Sequence, residues 1–514
     1  MKKRYTLAFL GASLSLLFVV SCDRDLPINV SYTPYQYASL DPNGGTWSTV
    51  LLDAPDQIDI PPPADVNSTE YQSELAELKD AMSGLTSQQR EAIDYWTNNP
   101  SIRWMEIAME LVAKYNLIPG PNPDGTYTLP SPANPAGPPP FPFAHPAYSC
   151  RAFAYMSVAQ FDGLIAAWHY KFLYQRPAPS QVDPSIDAAY VDNSLPSYPS
   201  GAAVVTIACR DILSAMFPLE KEYLASRAQE HLSSLLWAGE AVQSDIDAGE
   251  LIGSEVAKLA LARAANDGMS KAQVSKAVSD SIKLAAFNRF GWSWENQEIP
   301  KRPVGLAPFY GKVKMWNVPN VELTRPGPPP AVGSAELQAD IDILVSHQNN
   351  MTEEKRRIAN YWQDGLGTYT PPGHWNTIAI DYILKYKLNP LRTARTFAYM
   401  NMAMQDAGIS CWDAKYYYHY PRPIQMIPGF KTIAGTPNFP SYTSGHSTFS
   451  AAAAEVLSRI FPQEGDIFRE WAEEAAISRV YGGIHWTFDS EVGLEQGKDV
   501  GSYTVAVMDS DGAE

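Results

Sequence analysis

An all-α protein of two tandem helical bundles, the second carrying a candidate site, is the fold class this sequence predicts. Three observations predict it. Apolar residues recur at three- and four-residue intervals through most of the chain, few stretches alternate as strands do, and one block of sequence returns at a constant offset. Helical spacing runs over 70–96, 102–115, 150–171, 202–217, 219–241 and 251–287 in the first half. It resumes over 334–349, 353–365, 374–386, 394–417, 447–461, 467–481 and 491–508 in the second.

The repeat is visible residue by residue. Arg151, Phe153, Tyr155 and Met156 return as Arg395, Phe397, Tyr399 and Met400, an offset of 244. The same offset carries Trp168 to Trp412, Lys171 to Lys415, Ser200 and Gly201 to Ser444 and Gly445, Asp245 to Asp489, and Gly249 and Gly253 to Gly493 and Gly497. Upstream, Thr86 and Trp96 are echoed by Thr352 and Trp362 at an offset of 266. The change of register coincides with a Pro-rich stretch between Ile118 and Ser149 that includes Pro138, Pro139 and Pro140 and reads as an extended, solvated insertion. The expected division is a leader over 1–21, an N-terminal extension over 22–68, a first bundle over 69–298, a Pro- and Gly-rich linker or strap over 299–333, and a second bundle over 334–514.

At 514 residues, 45% apolar and 11% aromatic, the chain has ample material for a large core. Its net charge of −17 argues against nucleic acid or an anionic membrane surface as partner, because both need a basic face that releases counterions. Any anion site must therefore be local. Lys2, Lys3 and Arg4 precede an apolar run from Thr6 to Val20, the pattern of an export signal too short to span a membrane comfortably. Val19-Val20-Ser21-Cys22 resembles a bacterial lipoprotein box, which implies cleavage before Cys22, acylation of that cysteine, and an anchored protein facing out of the bacterial cell envelope. The lipid is then the sole membrane contact. Cys150, Cys209 and Cys411 remain, too few for a disulfide framework, and no C-x-x-C pair suggests zinc or redox chemistry.

Three blocks in the second half carry chemistry. Lys415 and Arg422 lie seven apart, with Pro421 and Pro423 ending the helix, so both cations can converge on an anion from a helix end and its exit loop. Ser444, Gly445 and His446 precede a helical run; glycine lets the backbone approach an anion, the helix start presents N–H groups, serine donates a hydroxyl and histidine can shuttle a proton. Arg479 offers a planar fork, His485 can attack or ligate, and Asp489 can fix its tautomer through the other ring nitrogen.

These residues match K-x6-R-P, then P-S-G-H, then S-R-x5-H-x3-D, with Thr443 where the pattern has proline. In this the chain resembles the superfamily joining type 2 phosphatidic acid phosphatases, bacterial acid phosphatases and vanadium haloperoxidases, through its soluble branch, since several long apolar spans are lacking. The resemblance implies that Lys415, Arg422, Ser444, Gly445 and Arg479 hold an oxyanion. In a haloperoxidase His485 would bind vanadate, the cofactor, and His446 would assist peroxide in oxidising halide. In a phosphatase, with no cofactor, His485 would be the nucleophile and His446 the acid and base. Trp412 and Phe439 stand in positions similar to aromatic residues beside vanadate in the haloperoxidase branch, which puts halide oxidation slightly ahead of phosphomonoester hydrolysis. A phosphate-binding lipoprotein without turnover is the rival from another class. In every case the partner is a small molecule.

The first half keeps Lys171, Ser200, Gly201, Ser234 and Asp245, but Ala202, Leu235 and Ala241 replace His446, Arg479 and His485, and Arg176 is displaced by two residues. It is expected to be a structural bundle supporting the active one. His145, His169, His231 and His347 lack motif context, whereas His374 and His419 could border the pocket.

Overall fold

The computed structural model describes residues 35–117, 123–124, 144–189, 195–298, 301–302, 304–433 and 435–513. The leader, Cys22 and most of the Pro-rich stretch lie outside the described residues. Among the described residues there is no strand, and the all-helical class is the one observed.

The helices are α1 (Thr69–Ala81), α2 (Ser87–Trp96), α3 (Pro100–Tyr115), α4 (Pro146–Tyr174), the short α5 (Pro179–Val182), α6 (Gly201–Met216), α7 (Lys221–Trp237), α8 (Gln243–Ala265) and α9 (Lys276–Phe290), then α10 (Ala335–Asn349), α11 (Glu353–Tyr361), α12 (Thr370–Tyr386), α13 (Pro390–Tyr418), the short α14 (Pro423–Met426), α15 (Gly445–Ile460), α16 (Gly465–Tyr481) and α17 (Thr487–Met508). Caps explain where periodicity alone misplaces the ends. The segment expected over 70–96 is two helices, because Thr86 and Gln89 form a reciprocal capping box that starts a new one. The segment expected over 251–287 is likewise divided, with Ser275 capping α9 through Val278 N–H. Several others begin earlier than their apolar pattern, because proline at a first helical turn, as in α4 and α13, starts the helix before any apolar stripe does.

Helices α4 and α13, each 29 residues, are buried along most of their length and pack against one another at the centre. Asn401 Nδ2 donates to Ser157 Oγ at 3.2 Å, so two positions 244 apart meet across this interface. Around it the two halves place like elements alike. Arg151 pairs with Asp267 at 2.7 Å, as Arg395 does with Asp511 at 2.6 Å. Trp96 Nε1 donates to Glu230 at 2.9 Å, as Trp362 does to Glu474 at 2.8 Å.

The stretch expected as linker or strap is packed tightly. Asp406, fully buried in α13, accepts the backbone N–H groups of Trp316, Asn317 and Val318 at 2.7, 2.8 and 3.2 Å. Asp162 of α4 accepts those of Val50, Leu51 and Leu52 at 2.8, 2.6 and 3.0 Å. The N-terminal extension is thus the counterpart of the inter-bundle segment, and each is a strap tied to a central helix. Gly45 and Gly311 let the straps lie flat: a Cβ at Gly45 would come within 2.4 Å of His169 N, and one at Gly311 within 2.6 Å of Asp413 Cα.

Cys150, Cys209 and Cys411 are free and buried. No helix among the described residues is long and apolar enough to cross a membrane.

Candidate oxyanion-binding site

The three sequence blocks meet at one end of the C-terminal bundle. The last turn of α13 brings Lys415. His419, in the left-handed conformation at φ 51°, ends that helix, and Arg422 stands as the N-cap of α14. Ser444 caps α15, putting Gly445 and His446 in its first turn rather than before the helix. Arg479 comes from the last turn of α16, His485 from the connection to α17, and Asp489 from the first turn of α17. The backbone N–H of Ser444 donates to the Asp489 carbonyl at 2.9 Å, fastening the α15 and α17 starts together.

Lys415, Arg422, Arg479, His485 and Asp489 are all buried, while His446 is half-buried. Lys415 Nζ donates to the carbonyls of Pro440 at 3.1 Å and Ser441 at 2.9 Å, and to that of Thr443. Arg422 Nε donates to Phe439 O at 3.0 Å and Nη1 to Ile484 O at 2.6 Å. Arg479 is held by Ser478 Oγ at 2.9 Å and Ala359 O at 2.9 Å. Carbonyls fix where these cations sit without neutralising them. Two carboxylates, Asp489 near Lys415 and Arg422 and Asp364 near Arg479, face three cations here, and burial pulls the Lys415 ammonium down to about 8 and both guanidiniums down to about 10.

His485 Nδ1 lies 2.8 Å from Asp489 Oδ2, which also accepts from Ser441 Oγ and from the Trp486 N–H at 3.1 Å. Burial and then Arg422 and Lys415 hold His485 well below the usual imidazole range. A neutral ring with Nδ1–H on the carboxylate leaves Nε2 a lone pair, and Nε2 is the nitrogen facing Arg422, 3.4 Å from Nη1. Burial pushes Asp489 up to about 7 against the opposing hydrogen bond from Ser441. His446 is also kept neutral, by burial and then by Arg479, with Nε2 3.3 Å from Gln363 O.

Trp412 and Phe439 form one wall, their ring centroids 4.9 Å apart, and Lys415 Nζ is 5.1 Å from the Phe439 ring. Trp412 also donates to Leu306 O at 3.1 Å, so it ties the strap as well as lining the site. His374 pairs with Asp364 at 3.1 Å and stacks on Trp362. His419 instead accepts from Trp294 N–H at 3.0 Å and serves the helix end. Sequence reasoning missed Ser441, Gln363 and Gln496, whose side chain lies 2.5 Å from the Thr443 hydroxyl. Nothing marks them, since two act through loops and one through a carbonyl.

A Cβ at Gly445 would meet nothing closer than Phe449 at 3.6 Å, so no protein atom demands glycine there. The backbone is open toward the cluster at the start of a 16-residue helix. A cradle that a Cβ would fill, an excess of buried positive charge and a neutral imidazole together suit a tetrahedral oxyanion, vanadate or phosphate alike. Among the described residues no group of three or more His, Cys, Asp or Glu could hold a bare metal ion.

An all-helical protein with three buried cations gathered round a neutral imidazole at the end of one bundle is the class that fold and site define. Residues 396–508 match the family described as the PAP2 superfamily. Over 213 residues, 32% of this chain, the sequence is 27% identical to the vanadium chloroperoxidase of Curvularia inaequalis, and the match covers 34% of that protein, about a third of its length. The fold is similar to that in the crystal structure of a bacterial vanadium-dependent iodoperoxidase, with TM-score 0.58, 22% identity, and coverage of 79% of this chain and 96% of that one. It is also similar to a bacterial vanadium-dependent chloroperoxidase in its holo form, with TM-score 0.51, 14% identity, and coverage of 74% and 96%. Residues 396–508 thus resemble the PAP2 superfamily, and the described chain shares its fold with the vanadium-dependent peroxidases.

Proposed function

We propose that this protein is a vanadium-dependent haloperoxidase-like enzyme that oxidises halide with hydrogen peroxide. The observation that carries the reading is the set of three buried cations around one neutral imidazole, beside the Trp412 and Phe439 wall. Lys415, Arg422, Ser444, Gly445 and Arg479 would hold vanadate, with His485 Nε2 as its protein ligand. When bound, vanadate supplies the Lewis acid that makes peroxide an oxygen donor to halide. Asp489 keeps the His485 lone pair aimed into the cradle, and neutral His446, half-buried and reached by solvent, accepts the proton that peroxide loses.

The same groups support a second reading, phosphomonoester hydrolysis, in which His485 Nε2 attacks phosphorus, the ester oxygen leaves with a proton from His446, and water then cleaves the phosphohistidine. The neutral state of His485 favours it equally, because only an unprotonated nitrogen is nucleophilic. Halide oxidation by peroxide and p-nitrophenyl phosphate hydrolysis, each with and without vanadate, separate the two. Vanadate-dependent halide oxidation is expected, lost in His485→Ala. Hydrolysis that vanadate inhibits, with no halide oxidation, would replace the first reading with the second. Orthophosphate binding without either activity would make the protein a binder.

Export and lipid anchoring at Cys22, in the bacterial cell envelope, complete the reading and rest on the leader sequence. Palmitate labelling in a bacterial host should be lost in Cys22→Ala.

A further inference from the structure

The N-terminal bundle holds a cavity where the C-terminal bundle holds its reacting groups. Its volume, about 110 Å3, approaches that of engineered cavities that accept benzene. Its lining includes Trp96, Trp168, Lys171, Ala202, Leu235 and Ala241. At the offset of 244, Lys171 matches Lys415, while the two alanines and the leucine stand where His446, His485 and Arg479 supply the C-terminal chemistry.

Three polar groups in this lining are unspent, one of them the Trp168 indole N–H, which has no partner among the described residues. Lys171, like Lys415, is anchored by loop carbonyls, those of Pro196 and Ser197. Lys415 has three such acceptors and Lys171 two, so one N–H of a buried ammonium has no acceptor among the described residues. Ser101 Oγ, fully buried in the same lining, has no partner among the described residues either. Leaving such groups unpaired is costly, because each has lost its water and gained no partner. The arrangement suits an occupant that brings an oxygen.

Charge decides which kind of oxygen. In the C-terminal cluster three cations face two carboxylates, Asp489 and Asp364, which leaves one positive charge in excess. In the N-terminal cavity Leu235 removes one cation, Arg176 is closed into a buried pair with Asp245 at 2.5 Å, and Glu240 stands where the other half has Ile484, close enough to act on the Lys171 charge. Two cations and two carboxylates leave no net charge to attract an oxyanion. Aromatic and aliphatic walls offer apolar contact instead.

We propose that this cavity binds a neutral, single-ring aromatic molecule bearing one hydroxyl or carbonyl oxygen, its ring against the apolar lining and its oxygen on the third N–H of Lys171. The test uses 4-fluorophenol, 4-fluorobenzoate and 4-fluorotoluene with the full chain, read by 19F line broadening. Neither peroxide nor vanadate is needed, so the outcome is independent of the C-terminal chemistry. Saturable 4-fluorophenol binding is expected, with 4-fluorobenzoate at least about tenfold weaker, because burying a carboxylate beside two others costs more than 1.4 kcal/mol. Lys171→Met should weaken 4-fluorophenol about tenfold and leave 4-fluorotoluene unchanged. Ala202→Phe, which fills the cavity, should abolish both. If that variant gives no cooperative melt, the Lys171→Met comparison decides alone. Absence of saturable binding, benzoate binding as tight as phenol, displacement by orthophosphate, or equal loss of phenol and toluene in Lys171→Met would each overturn the proposal.

Discussion

At the residue scale the site is a matter of which groups are neutral and which are charged. Glycine 445 shows how function and stability come apart. Its added Cβ meets only ordinary contacts, and its backbone is helical with negative φ. Gly445→Ala should therefore leave the melting temperature unchanged or slightly raised, since alanine is the better helix former by ~1 kcal/mol. Oxyanion affinity should fall by tenfold or more, read by vanadate or phosphate titration; a variant that binds as the parent does would place the oxyanion elsewhere. A second residue prediction concerns pH. His231, fully buried, accepts from Trp104 Nε1 at 3.2 Å and stacks on Trp96, and burial followed by Arg227 lowers it from 6.5 to about 3. Above pH 6.5 neither folded nor unfolded chain protonates it, so its stabilising effect is complete there. Below that pH the unfolded chain takes up a proton that the folded protein refuses down to about pH 3, so stability is lost as pH falls. His231→Gln should be less stable than the parent at pH 7.5. The gap should close by about 1.4 kcal/mol per unit below pH 6.5, measured as urea midpoints; a pH-independent gap would show that the ring is not held neutral.

Elements place these residues, and the straps are the elements that sequence reading left least defined. Period-based reasoning finds helices because one face repeats. A strap has no period, and its stability comes from one buried carboxylate capturing three successive backbone N–H groups, a contact that pairs residues 90 apart in the case of Trp316 and Asp406. The signal was there in another form, since Gly45 and Gly311 keep the upstream offset of 266. Gly311→Ala would drive a Cβ into the backbone of Asp413, two residues before Lys415. A loss of ~1–3 kcal/mol is expected, seen as a lower melting temperature, with site affinity reduced through the displaced end of α13. Wild-type stability in this variant would mean that the strap rides loosely. The three blocks of candidate site residues were legible for the opposite reason. Each block is local, and the turn chemistry around Pro421, Pro423 and Gly482 to Gly483 dictates where its side chains emerge. Ser441 and Gln363 were not, because their roles depend on loops packed from elsewhere in the bundle.

On the scale of the whole molecule, the two halves are joined through α4 and α13, which leads to the expectation that the C-terminal half does not fold without the other. Phe153, Met156, Phe161 and Leu164 of α4 and Phe397, Met400 and Met404 of α13 belong to one continuous buried core. Asn401 and Ser157 pair within it, and each fully buried side chain of this size contributes ~1.5–3 kcal/mol. Separating the halves would expose the apolar faces of two 29-residue helices, far more than the ~5–15 kcal/mol by which a protein is stable. It would also free the end of α13 that carries Lys415 toward the cluster. The C-terminal half produced alone, from residue 301 onward, is therefore expected to be insoluble or to lack a cooperative thermal transition, with no oxyanion binding. Co-expression with residues 35–298 should restore both, because no covalent link beyond the strap is needed to rebuild the α4–α13 interface. A soluble, cooperatively melting C-terminal half that binds vanadate unaided would show that the site needs only its own bundle.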